Sequence, residues 1–277
     1  MASTPTEFFI SRQDANKQAT GPYPNSSLEH TFLSCAANIA IALLEQEPGR
    51  QGLMHLALLV DEFHFQKSLI PEDAILAEKF VDDFLQKIGR RFPKIVVDGT
   101  MDNVGRIGEH TGVAWEGGYD MFEPWNQSVR LNESVSLSLS KCITRINVSQ
   151  IVLDMVALGL NSPNASQKSQ DARELRNSLL LFAFIFVREV GAQMFITYLT
   201  QGMGHETPED IFFPPHKTSN IGASGRYLKD LLFGGVIESH CDLQKRGTFF
   251  HEPVTPTSPF LSFSCFITIA NGVDTKR

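Results

Sequence analysis

The segment 171–200, DARELRNSLLLFAFIFVREVGAQMFITYLT, constrains the fold more than any other stretch of the chain. Nine apolar residues run without a break from Leu179 to Val187. That run is too short to span a bilayer, which needs about 20 residues. A helix apolar on every side must then lie in the middle of a domain, with other elements packed around it. Arg188 and Glu189 follow directly, inside the same helix. Charge in such a place is costly unless it is paired and hydrogen-bonded, so these two residues demand a reason.

The rest of the chain supplies layers around that helix. Residues 28–46 read as a helix ended by Pro48 and Gly49. MHLALLV (54–60) reads as a buried strand. Residues 71–90 form an amphipathic helix opened by Pro71, with Ile75, Phe80, Phe84 and Ile88 in one stripe. KIVVD (94–98) is a short strand, and the Gly- and acid-rich stretch 99–127 is irregular. Val129, Leu131, Val135, Leu137 and Leu139 follow the two-residue spacing of a half-exposed strand, interrupted by Glu133. Residues 149–159 form a short helix, 161–170 a surface loop, and 261–270 a strand. Residues 1–27 are polar and read as a flexible N-terminal arm. The expectation is an α+β fold, with one domain over 28–277 and a small sheet packed on the buried central helix.

Charge and cysteine usage narrow the function. A net charge of −7 argues against nucleic acid or an anionic membrane as the main partner, because both need clustered Lys and Arg. Cys35, Cys142, Cys241 and Cys265 are scattered, with no CxxC or His/Cys cluster, so a structural zinc site is not expected. The first residues, MASTPTEFFISRQDANKQ, carry no apolar signal core. Sequons at Asn25, Asn126, Asn132, Asn147 and Asn164 then stay unmodified, and the expectation is a cytoplasmic protein with free thiols. The 21 Phe residues, against 2 Trp and 4 Tyr, build an aromatic core or line an apolar pocket. No P-loop, GxGxxG, GxSxG or CxxC fingerprint is present, and no cofactor is implied. His205-Glu206 lies in a Gly-rich turn and reads as solvated loop; His55 and His64 flank an apolar run and read as satisfied histidines.

The central helix carries a motif position. Zinc peptidases of the zincin type place H-E-x-x-H on a buried helix, both His on one face and the Glu beside the metal-bound water. Here the stretch is Arg188-Glu189-Val190-Gly191-Ala192. Its surroundings, FVREVGAQMFITYLTQG, then TPED, then GASGRYLKDLLFGG, resemble a group of fungal zincin-like (gluzincin-type) proteins over roughly residues 130–240. In that group the expected pattern is HE-x-(G/A)-H, a TYL-x-x-G turn, and GESGR-x-L-E with LFGG. The departures are chemical. Arg188 and Ala192 stand at the two His positions, and Ala223 and Lys229 at the two candidate carboxylates. Arg and Lys do not ligate zinc in these roles and Ala has no donor atom, so no metal site is expected.

The resemblance implies a zincin-like domain released from peptidase chemistry. Two function classes follow. In one, the old cleft binds and converts an apolar small molecule, with Glu189 as general acid/base and Arg188 as the anion-stabilising group. Phe184, Tyr198, Arg226 and Tyr227 would then line the substrate site, and a cyclisation, isomerisation or elimination in fungal secondary metabolism would suit it. In the other, a non-catalytic pseudo-peptidase binds a peptide or protein partner. The bland reading of Arg188 and Glu189 is a buried structural ion pair, and the oligomeric state is not legible.

Overall fold

Ser27 starts the first long helix, α1 (Leu28–Glu45), its side chain accepting from the His30 N–H at 3.1 Å. Phe32, Leu33, Ala36, Ala37, Ala40, Ile41 and Leu44 are buried along it, the three-and-four spacing of one apolar face. The computed structural model describes residues 6–14, 16, 18–64, 74–101, 107–133, 170–202, 225, 228, 232, 235–236, 240–242, 248–250 and 270–271. The strand and helix expected over 134–139 and 149–159, the loop at 161–170 up to Gln170, Pro71, and His205-Glu206 fall outside those residues. Of the expected strand 261–270, only Ala270 lies within them.

The buried strand expected at 54–60 is instead the middle of a second helix, α2 (Glu47–His64). Leu53, Leu56, Ala57 and Val60 are buried, a helical spacing that the intervening apolar residues hide in the sequence. His55 lies on the exposed side. Pro48 and Gly49 do not close α1; they lie in the first turn of α2, where Pro needs no N–H partner. Gly49 is pressed onto the end of α1. A Cβ there would meet Leu43 O at 2.3 Å and Leu44 Cα at 2.7 Å, both backbone atoms with no room to give. Gly49→Ala should therefore destabilise the protein by about 2 kcal/mol or more, in the range of core overpacking, as read from urea unfolding. A cost within experimental error would show that α1 and α2 can part freely.

Next comes α3 (Ala74–Arg90), with Ala77, Val81, Phe84, Leu85 and Ile88 buried. The central helix is one rod in three registers: α4 (Gln170–Phe186), a π-helical stretch Val187–Met194, and α5 (Phe195–Leu199). Counted through the charged pair, Ser178–Leu199 is long and apolar enough to cross a membrane, a longer window than the nine-residue run suggested. In the fold 83% of that window is buried against the protein's own elements. Phe32 of α1 meets Phe182 edge-on at 5.6 Å, and Phe84 of α3 meets Phe195 at 4.9 Å. The rod ends at Gln201 (φ 52°) and Gly202 (φ 70°), whose N–H returns to Thr197 O at 2.8 Å, a left-handed C-cap.

A five-stranded mixed sheet completes the α+β architecture. Its strands are β1 (Ile10–Gln13), β2 (Ala19–Pro22), β3 (Lys94–Asp98), β4 (Gly108–Thr111) and β5 (Ser128–Asn132), in the order β2-β1-β3-β5-β4. β1, β3 and β5 are parallel neighbours; β2 and β4 run antiparallel at the two ends. Residues 10–13 and 19–22, expected in a flexible arm, are thus two strands of the sheet, with Ile10 buried at 1% exposure and paired to Ile95. The polar sequence hides them because β1 and β2 are four residues each and the parallel partner of β1, β3, lies far along the chain. The strand at 94–98 falls where the sequence placed it, and Val129 and Leu131 are fully buried. The sheet sits on the central helix: Phe92 meets Phe186 at 5.5 Å, and a Cβ on Gly108 would lie 2.6 Å from Ile185 Cγ2. Two short strand pairs, Gly235–Val236 with Ala270–Asn271 and His240–Asp242 with Thr248–Phe250, lie later in the chain.

Candidate functional site

The π-helical stretch Val187–Met194 covers the whole REVGA motif. Such i→i+5 segments are rare and gather at functional sites. Adjacent side chains on an α-helix diverge by about 100°; the wider π turn narrows that angle. Arg188 and Glu189 pair directly within this stretch. Arg188 Nε donates to Glu189 Oε1 at 2.5 Å, and its Nη2 lies 2.5 Å from the same oxygen.

Both charges also hold the edge strand. Arg188 Nη2 donates to Gly108 O at 2.7 Å, and the His110 N–H donates to Glu189 Oε2 at 2.8 Å. The Glu189 side chain is 5% exposed and that of Arg188 31%. Burial pushes the Glu189 carboxyl up, while the Arg188 charge, its hydrogen bonds and the His110 N–H pull against that rise, and Glu109 adds to it. Both oxygens accept, one from the guanidinium and one from the His110 N–H. Gly108 and His110 fall in the stretch read as irregular. The sequence GEHT has no apolar alternation that could have marked a strand there.

The later half of the resemblance meets the first half in space. A Cβ on Gly225 would lie 2.2 Å from Arg188 Cγ, so the glycine backbone rests on the arginine stem. Leu228 likewise reaches Gly191, where a Cβ would lie 2.9 Å from its Cδ2 and 2.6 Å from that of Leu44. Arg226, Tyr227, Ala223 and Lys229 lie outside the described residues. Ala192 is fully buried.

Two residues expected at a substrate site are placed in the core. Phe184 is 7% exposed on α4. Tyr198 is fully buried among Phe80, Phe84, Tyr119, Phe122 and Phe195, and its hydroxyl donates to Asp83 Oδ2 at 2.8 Å. Burial and the Asp83 carboxylate together push its phenol well up. This tyrosine ties the central helix to α3, and its ring is not open to a ligand.

A second buried ion pair was not singled out from the sequence. Asp98, fully buried at the end of β3, accepts from the Thr100 N–H and hydroxyl, both at 2.7 Å, and from Arg130 Nε at 2.7 Å. Burial alone would raise its carboxyl; the Thr100 bonds and Arg130 outweigh burial and hold it low. Both Asp98 oxygens are occupied, one by Thr100 in the turn after β3 and one by Arg130 of β5, which is a structural role. Among the described residues no group of three or more His, Cys, Asp or Glu side chains is placed to hold a metal ion. No family model, no curated protein and no solved structure matches the chain.

Proposed function

We propose that this chain is a degenerate, zincin-like protein of the cytoplasm that works as a pseudo-peptidase: it binds a peptide or protein partner and hydrolyses nothing. The observation that carries this reading is the engagement of Glu189. A proton-transfer carboxylate needs a free oxygen within reach of its substrate. Here one oxygen is held by the Arg188 guanidinium and the other by the His110 N–H. The kinship is supported by the REVGA and GASGR segments, which lie in contact through Arg188 and Gly225. A guanidinium in place of the first ligand supplies a fixed positive charge without metal chemistry.

One observation favours the second reading, a converted enzyme acting on an apolar small molecule. Burial raises the proton affinity of Glu189, and Arg188 beside it keeps 31% of its side chain exposed to meet an anion. Glu189→Gln separates the two: it removes turnover from such an enzyme and leaves partner binding intact in a pseudo-peptidase.

Metal content tests the shared premise. Protein purified without chelator should carry far less than stoichiometric zinc by elemental analysis. The double variant Arg188→His/Ala192→His should stay equally poor in zinc. Ala192 is fully buried within the π stretch, where the stacking of i and i+4 is lost. Catalytic zinc sites also use three protein ligands, and Ala223 and Lys229 supply none. Stoichiometric zinc in the wild type, lost on Glu189→Ala, would overturn the proposal.

A further inference from the structure

The segment that leaves β4 is irregular but tightly braced. It carries two single 3-10 turns, Tyr119–Met121 and Pro124–Asn126, and lies at the C-terminal end of the central rod. Gln127, itself buried, clamps Val113: its Oε1 accepts from the Val113 N–H at 2.8 Å and its Nε2 donates to Val113 O at 2.9 Å. Ala114 rests against the rod, where a Cβ on Gly202 would meet its Cα at 2.4 Å. The Trp115 ring lies 4.8 Å from the buried Phe122, and its Nε1 donates to Gly118 O at 3.3 Å. Tyr119 Oη donates to Leu199 O at 2.9 Å, and Lys87 Nζ to Asp120 O at 3.1 Å. Gly117, at φ 102°, makes a left-handed turn that a side chain would resist.

We infer that this braced loop is the docking face for a partner protein, which meets it with a segment that is both apolar and cationic. The inference rests on the partner-binding reading above and names the face and the chemistry of its occupant. The aromatic rings of the loop are buried or half-buried, yet two large apolar side chains turn out: Val113 is 50% exposed and Met121 58%. Among the described residues Leu58, at 36%, is the other exposed large apolar side chain. A single exposed apolar residue needs no explanation. Two on one loop held by side-chain bonds form a preorganised surface, which loses little freedom on binding. Charge chooses the occupant. Glu116, Asp120 and Glu123 are exposed on the same loop, and no Lys or Arg occurs between Ile107 and Val129. The cations beside the loop are engaged. Lys87 faces Asp83 at 4.0 Å, Arg91 pairs with Glu7, and Arg91 and Lys94 lie over the Trp125 ring at 5.0 and 5.6 Å. The carbonyl end of the central rod, a partial negative charge, lies beside Tyr119. An acidic partner would be repelled here, whereas Lys or Arg set among apolar residues complements both features.

Fluorescence anisotropy on the whole chain tests this, with a dye-labelled peptide of alternating Leu and Lys beside its Leu/Glu counterpart. The wild type should bind the Leu/Lys peptide about tenfold or more tightly than the Leu/Glu one. Val113→Ser/Met121→Ser should weaken that binding about tenfold, the scale of a lost apolar anchor. Glu116→Lys/Glu123→Lys should abolish the preference for Lys. Glu45→Lys/Glu78→Lys makes the same charge change on α1 and α3 and should bind as the wild type does. All six side chains are exposed, so thermal melts of the variants should match the wild type. No binding by the wild type, or equal loss in the loop and helix charge variants, overturns the inference. Binding untouched by both loop variants also overturns it, and leaves the partner-binding reading standing with its face elsewhere. Cleavage of the peptide would instead sink the pseudo-peptidase reading, and the loop variants would still decide the face. A wild-type dimer that Met121→Ser dissolves would put a second copy on this face and overturn the choice of partner.

Discussion

Arg188→Met should cost the fold about 3 kcal/mol at neutral pH, and the cost should shrink as the pH falls. Removing one partner of a buried ion pair costs roughly 3–5 kcal/mol, because the other charge is stranded. The Arg188 side chain is 31% exposed, which places the loss at the low end; Glu189 is 5% exposed and has little water to turn to. The variant also frees Gly108 O. The pH dependence follows from linkage. Burial already holds the Glu189 carboxyl above its ordinary range, and loss of Arg188 raises it further. A carboxyl raised in the folded state takes up its proton more readily there than in the unfolded chain. The penalty is full above the folded value and gone below the unfolded one, so acidification from neutral towards the ordinary carboxylate range relieves it. A second sign separates pairing from packing. Glu189→Gln should destabilise the wild type and stabilise Arg188→Met, because in the variant it removes an uncompensated charge. Urea unfolding of the four proteins at two pH values measures all of this. A pH-independent cost, or Glu189→Gln acting in the same direction in both backgrounds, would show that the ion pair is not what holds this helix to β4.

How much of this could be read in advance depends on where the signal lies. The central helix is legible because nine apolar residues leave no choice but burial, and two charges inside it demand partners. The amphipathic stripe of α3 and the apolar run of β3 were legible for similar reasons. The helix over 54–60 was not, because Met54, Leu58 and Leu59 fill the positions that would have shown the period. Leu58 is 36% exposed, an apolar residue on the solvent side. β1 and β4 are four residues each, too short to show a period, and the parallel partner of β1 lies at 94–98. The site itself was half legible. The charged residues Arg188 and Glu189 stand out in the sequence, but no local code announces a π turn, and adjacent residues on an α-helix are not expected to face each other. Gly108 and His110 act through backbone atoms, which carry no residue signature. The position of Tyr198 on the motif helix suggests a ligand site; packing gives it to the aromatic cluster with Asp83 instead.

Acidification should also unload stability through His110. The imidazole lies under β4, near Gly112 and Thr197, and its Nε2 is buried without a hydrogen-bond partner among the described residues. Burial lowers it from 6.5 to about 4, outweighing the Gln127 side chain, which favours the charged form. A histidine lowered in the folded state stays neutral while the unfolded chain takes up a proton. Its stabilising contribution is fully present above 6.5 and is lost progressively as the pH falls towards 4. One proton over that interval is worth about 3 kcal/mol. Other groups act in the same window. His30, lowered chiefly by burial, adds to the loss, whereas Glu189, raised by burial, opposes it. The wild-type curve alone therefore mixes them. Subtracting the curve of His110→Asn, which retains a polar side chain but does not titrate, isolates the histidine. The difference should favour the wild type at pH 7 and move against it by about 3 kcal/mol by pH 4. The backbone N–H that holds Glu189 is unchanged by this substitution, so the bond from β4 to Glu189 should remain in place. A difference curve flat from pH 7 to pH 4 would mean that the imidazole accepts a proton in the folded state as easily as in the unfolded one. In that case Nε2 reaches water or a carboxylate, and the burial argument for His110 fails.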